Sequence, residues 1–447
     1  MKLNFEKIAF AKVEAWAVFL FVLAGLAGLM LYGWFLRASL ADPEATFWSR
    51  VAVNLSRVPE RAWELSRTGL EFNAAGELVQ RDPRNIPFEG PAGLERIDPG
   101  FEDDGYLLVS AYDEAHRNAV VELYDLQQGE TVWQWRPDYQ AIIEQTPSLA
   151  RRLEGHTPPD FEAQHPYLVD GNLVFLMPKA GVLAMVDREG RPVWTLDQVF
   201  HHSIERNADG NFVVPTSTRQ PGDREENCAY AVVSPAGEVL ETVSVGDLLR
   251  RHGYGGLMRG VGPWEEDPTH LNDTQPMLVT DGHVQAGDIA LSCRNISTVL
   301  LYRPGEDRIV WLQTGPWLNQ HDVDYLGDGV FSIFNNNVLR GAPRKEAASS
   351  GIMTFDQKTG ETVPHFQEVF REHNLQTETQ GLHRWLANGD VFVELTDEHQ
   401  LLRLGPEGPR WRYRHALAEP GRIGALFWCR YLPREGLNLS WLPEAQP

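Results

Sequence analysis

Apolar and polar positions divide the chain into three stretches. From Ala15 to Leu36 runs an unbroken uncharged segment, AWAVFLFVLAGLAGLMLYGWFL, long enough to cross a bilayer core as one helix. Trp16, Tyr32 and Trp34 stand at its ends, where interfacial aromatics sit. After the start signal Asp42-Pro43-Glu44, the residues Phe47, Trp48, Val51, Leu55 and Val58 recur at helical spacing. That spacing predicts a short juxtamembrane helix, with a second beginning at Pro59. Residues 71–100 are rich in Pro, Gly and charge and read as an extended connection. The expected division is residues 1–37 as tip and anchor, 38–100 as juxtamembrane helices and linker, and 101–447 as the main domain.

Beyond residue 100 the pattern is a repeat. A turn glycine followed by β-branched residues and often Trp occurs at Gly129, Gly190, Gly237, Gly305, Gly360 and Gly408. Each follows a short apolar strand such as VVELYDL, VLAMVD or TVLLY. A second hairpin signal precedes most copies, at Asp170, Asp209, Gly287, Asp328 and Asn388. Four short strands per repeat, repeated about six times, predict an all-β fold, a six-bladed β-propeller. Helix-like inserts near Asp138–Leu153, Val245–Arg259 and His365–Asn374 fall between the outer strand of one repeat and the inner strand of the next. They are expected to wall one mouth of the central channel.

Histidine returns where these inner strands begin: His165, His202, His270, His321 and His383. His202 and His321 lie eight residues before a hairpin glycine, and His165 and His383 lie six before one. Even offsets put all four on one strand face, and an inner strand's start lies beside the axis. Asn272 shares the face of His270, and Arg294 lies in the same repeat. Imidazoles, an amide and a guanidinium around a narrow channel suit a tetrahedral oxyanion such as sulfate or phosphate. Asp322 points to the opposite face by parity and receives no role. His165 and His383 are read as ties between blades.

Composition narrows the class. Hydrophobic content of 43% with 39 Gly and 29 Pro describes a folded, turn-rich protein. A net charge of −22 without a basic run excludes nucleic acid as a general partner. Cys228, Cys293 and Cys429 are scattered, allow at most one internal disulfide and form no metal motif. Lys2, Lys7 and Lys12 precede the apolar run and Arg37 follows it, which places the N-terminus in the cytoplasm and the main domain in the periplasm. A signal peptide is the rival reading, with Ser39-Leu40-Ala41 as a small-residue cleavage site. The length of the apolar core favours an uncleaved anchor.

With HHSIERNADGNFVV, THLND, GDIALSCRNIS, VWLQTG and QHDVDYLGDG in this order, the chain resembles the bacterial aryl-sulfate sulfotransferases. The resemblance implies a six-bladed periplasmic propeller moving a sulfuryl group from a phenolic sulfate ester to another phenol, with no cofactor, no metal and no nucleotide sulfate donor. It implies His321 as nucleophile, His202 (or its neighbour His201) and His270 as supporting histidines, and Asn272 and Arg294 as sulfate ligands. The apolar helix departs from the soluble members. It points to the lipid bilayer as partner through residues 15–36, to a membrane-linked as well as a small-molecule aryl sulfate or phenol, and to other membrane proteins. Three other readings stand beside it: a non-catalytic scaffold subunit, a quinone-binding propeller suggested by DLQQGETVW, and a zinc or copper site built on the clustered imidazoles.

Overall fold

The computed structural model describes residues 15–41, 70–72, 78–80, 84–146, 161–177, 181–218, 228–258, 267–338 and 349–443. The juxtamembrane helices expected over residues 42–69 lie outside them. The chain divides into two units, Met1–Pro83 and Arg84–Pro447.

In the first unit, Ala15–Ala41 is one helix of 27 residues. At 1.5 Å per residue it is about 40 Å long, more than the roughly 30 Å of a hydrocarbon core. Its Val18–Arg37 portion is apolar and exposed, and by length and composition it suits either a membrane span or a signal sequence.

The second unit is a six-bladed β-propeller. Blade two is Gln164–Val169, Asn172–Met177, Val182–Val186 and Pro192–Leu196, counted from the axis outward. Blades three to six repeat this antiparallel order, and their inner strands are Glu205–Arg206, Leu271–Pro276, Val323–Gly327 and Leu382–Trp385. The repeated turn glycines lie between the third and fourth strands, as their spacing predicts. Gly129, Gly190, Gly237, Gly360 and Gly408 have positive φ, a backbone region open to glycine at little cost. In the fourth blade Asp307, at φ 44, takes that conformation in place of Gly305.

Middle strands read as continuous apolar runs because both of their faces are covered. In Asn172–Met177 every residue after the first is buried. Six hydrophobic clusters form, one at each junction between neighbouring blades. The junction of blades three and four, for example, gathers Tyr230, Val245, Leu248, Leu271 and Leu291. Val245, Leu248 and Leu249 of this cluster come from the short helix Val245–Arg251, so this insert is part of the core. The inserts also contain the helices Tyr139–Gln145 and Gln367–Glu372. All three cysteines are free and buried.

Blade one is closed by the far end of the chain. Its outer three strands are Tyr106–Asp113, Asn118–Asp125 and Glu130–Trp135, but its inner strand is Arg430–Leu432, with Arg430 opposite Leu108. This explains why the first repeat lacks the upstream hairpin signal: its inner strand comes from elsewhere in the sequence. Asp103 fastens the seam, accepting from Arg403 at 2.7 Å, Trp411 at 2.8 Å and Tyr431 at 2.8 Å. On the other side of the seam, Gly93–Arg96 adds a fifth strand to blade six, and Asn85–Pro87 pairs with Arg422–Gly424. Part of the segment expected to be a connection is therefore hydrogen-bonded into the propeller.

Candidate active site

Every inner strand is entered through a residue with left-handed backbone. These residues are His165 (φ 52), His202 (φ 65), His270 (φ 48), Asn319 (φ 52), Gln380 (φ 56) and, in blade one, Trp428 (φ 54). Such a conformation is unusual for residues other than glycine, and here it recurs six times, once near the start of each inner strand. It reverses the strand's simple alternation just where the chain meets the axis. Pairing is also irregular nearby, between Gln164 and Tyr167 and between Leu271 and Asp273.

The turns bring part of the predicted set together. The ring centroid of His202 is 5.0 Å from that of His270 and 6.3 Å from that of His321. Trp428 stacks edge-on 5.8 Å from His202 and 6.3 Å from His321. His201 lies behind His202, their Nδ1 atoms 2.7 Å apart, so one ring donates to the other. Of the two neighbours, His202 is the one in contact with the other imidazoles. Asn272 is fully buried and donates from Nδ2 to the Gln320 carbonyl at 3.1 Å, next to His321. The Arg294 amide donates to the His270 carbonyl at 3.0 Å.

His321 is held at both ring nitrogens. Asn336 donates from Nδ2 to the carbonyls of Thr377 and Gln380 at 3.1 and 2.8 Å, which turns its Oδ1 toward His321 Nδ1 at 2.7 Å. His321 Nδ1 therefore carries the proton, and Nε2 accepts the Gln380 backbone N–H at 2.9 Å. Burial pushes the His321 pKa well below 6.5, and the Arg294 charge adds to the effect. His202 is depressed in the same way, by burial first and then by His201, His270, His321 and Arg294. Both rings are neutral near pH 7, with a nitrogen lone pair apiece. His270 has a carboxylate partner, Asp267, which hydrogen-bonds Nδ1 and also accepts the His270 backbone N–H at 3.0 Å. Burial opposes ionisation of Asp267, but these hydrogen bonds outweigh it and lower its pKa.

His165 and His383 do not join this group. His165 Nδ1 accepts the Ile204 N–H of the next blade at 2.8 Å. His383 donates from Nδ1 to Asp322 at 2.7 Å and accepts at Nε2 from Ser332 Oγ at 2.6 Å, while Trp385 Nε1 donates to that same hydroxyl at 2.7 Å. The chain Trp385, Ser332, His383, Asp322 ties blade six to blade five. Asp322, Asp324 and His383 also bring three potential metal-ligating atoms within 4.8 Å of one another. Both nitrogens of His383 are already committed, so the arrangement serves the clamp. Below it, a cavity of about 490 Å³ follows the axis to the inner-strand ends, lined by Arg206, Asp324, Arg384 and Arg430 among others.

The model of the family described as Arylsulfotransferase (ASST) matches residues 166–413, more than half of the chain. The chain belongs to the arylsulfotransferase family. The matched span of this arylsulfotransferase takes in His202, His270, Asn272, Arg294 and His321, whereas Trp428 and the closing strand lie beyond it. Among solved structures, the chain is similar to a protein of unknown function from Bacteroides caccae, at 12% identity and a TM-score of 0.46 over 74% of this chain and 99% of that one. It is also similar to the hydrazine synthase of Kuenenia stuttgartiensis, at 10% identity and a TM-score of 0.40 over 64% and 71% of the two chains. No curated protein matches the sequence.

Asp267, Asn336, Gln380 and Trp428 escaped the sequence reading. Trp428 left one signal there. When the repeat is closed in a circle, it takes the inner-strand entry of blade one, the place that His202 and His270 hold in their own blades.

Proposed function

We infer that this arylsulfotransferase-family protein is a membrane-anchored aryl-sulfate sulfotransferase with its propeller in the periplasm, working through a sulfohistidine on His321. The observation that carries the reading is the convergence of three imidazoles, two of them kept neutral by burial, near a guanidinium in a family whose members handle aryl sulfates. In the first half-reaction, His321 Nε2 attacks sulfur. The N–S bond forms as the bond from sulfur to the phenolic oxygen breaks, and the electron pair leaves with the phenolate. His270, oriented by Asp267, supplies a proton to that oxygen and later takes one from the acceptor hydroxyl. The modified ring carries positive charge, which Asn336 Oδ1 stabilises by accepting from Nδ1. Arg294 and Asn272 stabilise negative charge on the equatorial sulfuryl oxygens, the role that positioned donors play in loose phosphoryl-type transition states. Attack requires the Gln380 N–H to release Nε2.

The test is incubation with 4-nitrophenyl sulfate and a phenol acceptor. A sulfuryl mass addition is expected on the peptide containing His321, together with release of 4-nitrophenol. His321→Ala is expected to lose roughly a thousandfold or more of transfer, the scale on which removal of a nucleophile acts. His165→Ala is expected to keep most of it. Phenol release without mass addition would sink the covalent route. The capped Nε2 favours the alternative, a scaffold propeller. Full-length protein that copurifies with membrane partners in mild detergent and turns over no aryl sulfate would establish that instead.

A further inference from the structure

The geometry points to Trp428 as a substrate-contacting residue: its indole N–H donates a hydrogen bond to an oxygen of the bound aryl sulfate, and Glu394 holds it in position. The proposal deepens the sulfotransferase reading and rests on it.

Four observations converge on this residue. Its ring meets three imidazoles, those of His165, His202 and His321, at centroid distances of 5.2, 5.8 and 6.3 Å. The residue is only 2% exposed, and its Nε1 has no hydrogen-bond partner among the described residues. A buried donor left unmatched costs free energy, and an anionic oxygen is the acceptor that relieves the cost best. Trp133, Trp311 and Trp317 share the condition, and Trp428 itself belongs to the apolar cluster between blades six and one, but the other three stack on Trp or Phe rings. Trp428 alone among these faces the histidines.

Third, Trp428 adopts φ 54, a conformation costly for so bulky a side chain, which persists only where its surroundings impose it. Here they do. The fully buried Glu394 carboxylate accepts the Trp428 N–H at 3.0 Å through Oε1 and the Cys429 N–H through Oε2. Thr396 Oγ1 donates to Oε1 as well, at 3.1 Å. One carboxylate thus grips two successive amides of blade one from blade six. Fourth, Trp428 shares with His202 and His270 a left-handed backbone just ahead of an inner strand.

The measurement uses the full chain in detergent micelles, labelled with ¹⁵N-tryptophan, and Trp428→Phe identifies the indole signal of this residue. Titration with 4-nitrophenyl sulfate should shift that signal with the saturation curve of binding. Trp428→Phe, which keeps an aromatic ring and removes the N–H, should weaken binding by about tenfold to a hundredfold, the range for a lost bond to a charged group. Glu394→Gln should weaken it in the same direction with the Trp428 ring intact. Binding that leaves the Trp428 signal unmoved and is unchanged in Trp428→Phe would overturn the proposal while sparing the sulfotransferase reading. A shifted signal without turnover would support the contact and remove the catalytic reading. Absence of any aryl-sulfate binding would overturn both.

Discussion

Asp324, half-buried at the cavity, and His321, fully buried, answer to pH in opposite directions although both lie near one axis. The Asp324 carboxyl is pushed up to about 8, first by burial and then by the charge of Asp322 beside it. An aspartate in the unfolded chain titrates near ~3.9. Between roughly pH 4 and 8 the folded protein therefore binds more protons at this site, and stability falls as pH rises through that window. His321 and His202 are held below 6.5. The unfolded state binds more protons there as pH falls below about 6.5, so these rings cost stability on the acid side. Asp324→Asn should consequently flatten the decline in Tm between pH 6 and 9 and leave the acid-side decline in place. Thermal melts across that range check it, and an unchanged alkaline slope would show that Asp324 does not titrate there. Nothing in the sequence around Asp324 marks it as unusual. Asp322, two residues away, adds to the shift, but Glu205 and Asp273 add to it from other blades, which only the closed ring brings near.

At the scale of elements, the inner-strand entries decide which histidines meet. Their recurrence beside the hairpin glycines is visible in the sequence, and so are the blades themselves, because each glycine sits where a two-strand turn needs it. Parity does not carry along every inner strand, however. A bulge between Tyr325 and Gly327 interrupts the two-residue period between His321 and its hairpin glycine, whereas Leu382–Trp385 pairs without a shift, so even offsets did not give one orientation. His321 turns to the cluster, whereas His383, with an even offset of its own, turns to Ser332 and Asp322. That second arrangement is a tie between blades five and six. Ser332 is fully buried and serves two partners, donating to His383 Nε2 and accepting from Trp385 Nε1. Ser332→Ala leaves a buried imidazole nitrogen and an indole N–H unmatched, so a loss of about 1–3 kcal/mol is expected. Chemical denaturation would measure it, with sulfuryl transfer per folded molecule unchanged. An activity loss that outran the stability loss would place Ser332 in the chemistry instead.

For the molecule as a whole, closure is the event on which the rest depends. Strand Arg430–Leu432 completes blade one, and Arg430 reaches the Pro166 carbonyl at 3.0 Å and Glu205 at 2.9 Å in the next two blades. Removing residues 426–447 takes away the inner strand of blade one and Trp428 together, and uncovers the cluster between blades six and one. Such a truncation should yield aggregated or protease-sensitive protein, assayed by limited proteolysis beside the full chain. A protease-resistant, monomeric truncation would show that the ring holds without its seam. The pairing of Arg430 with Leu108 spans most of the chain, a long-range contact of the kind that slows folding.

The same seam has a temporal meaning. A ribosome makes the apolar helix well before the blade-one inner strand, so the helix is out long before the histidines have a finished ring around them. Until residue 430 has been synthesised and threaded into place, His202, His270 and His321 belong to separate, unclosed blades. The nascent chain thus carries its histidines on an open arc of blades, and the ring around them is finished only by the strand that also completes its shape.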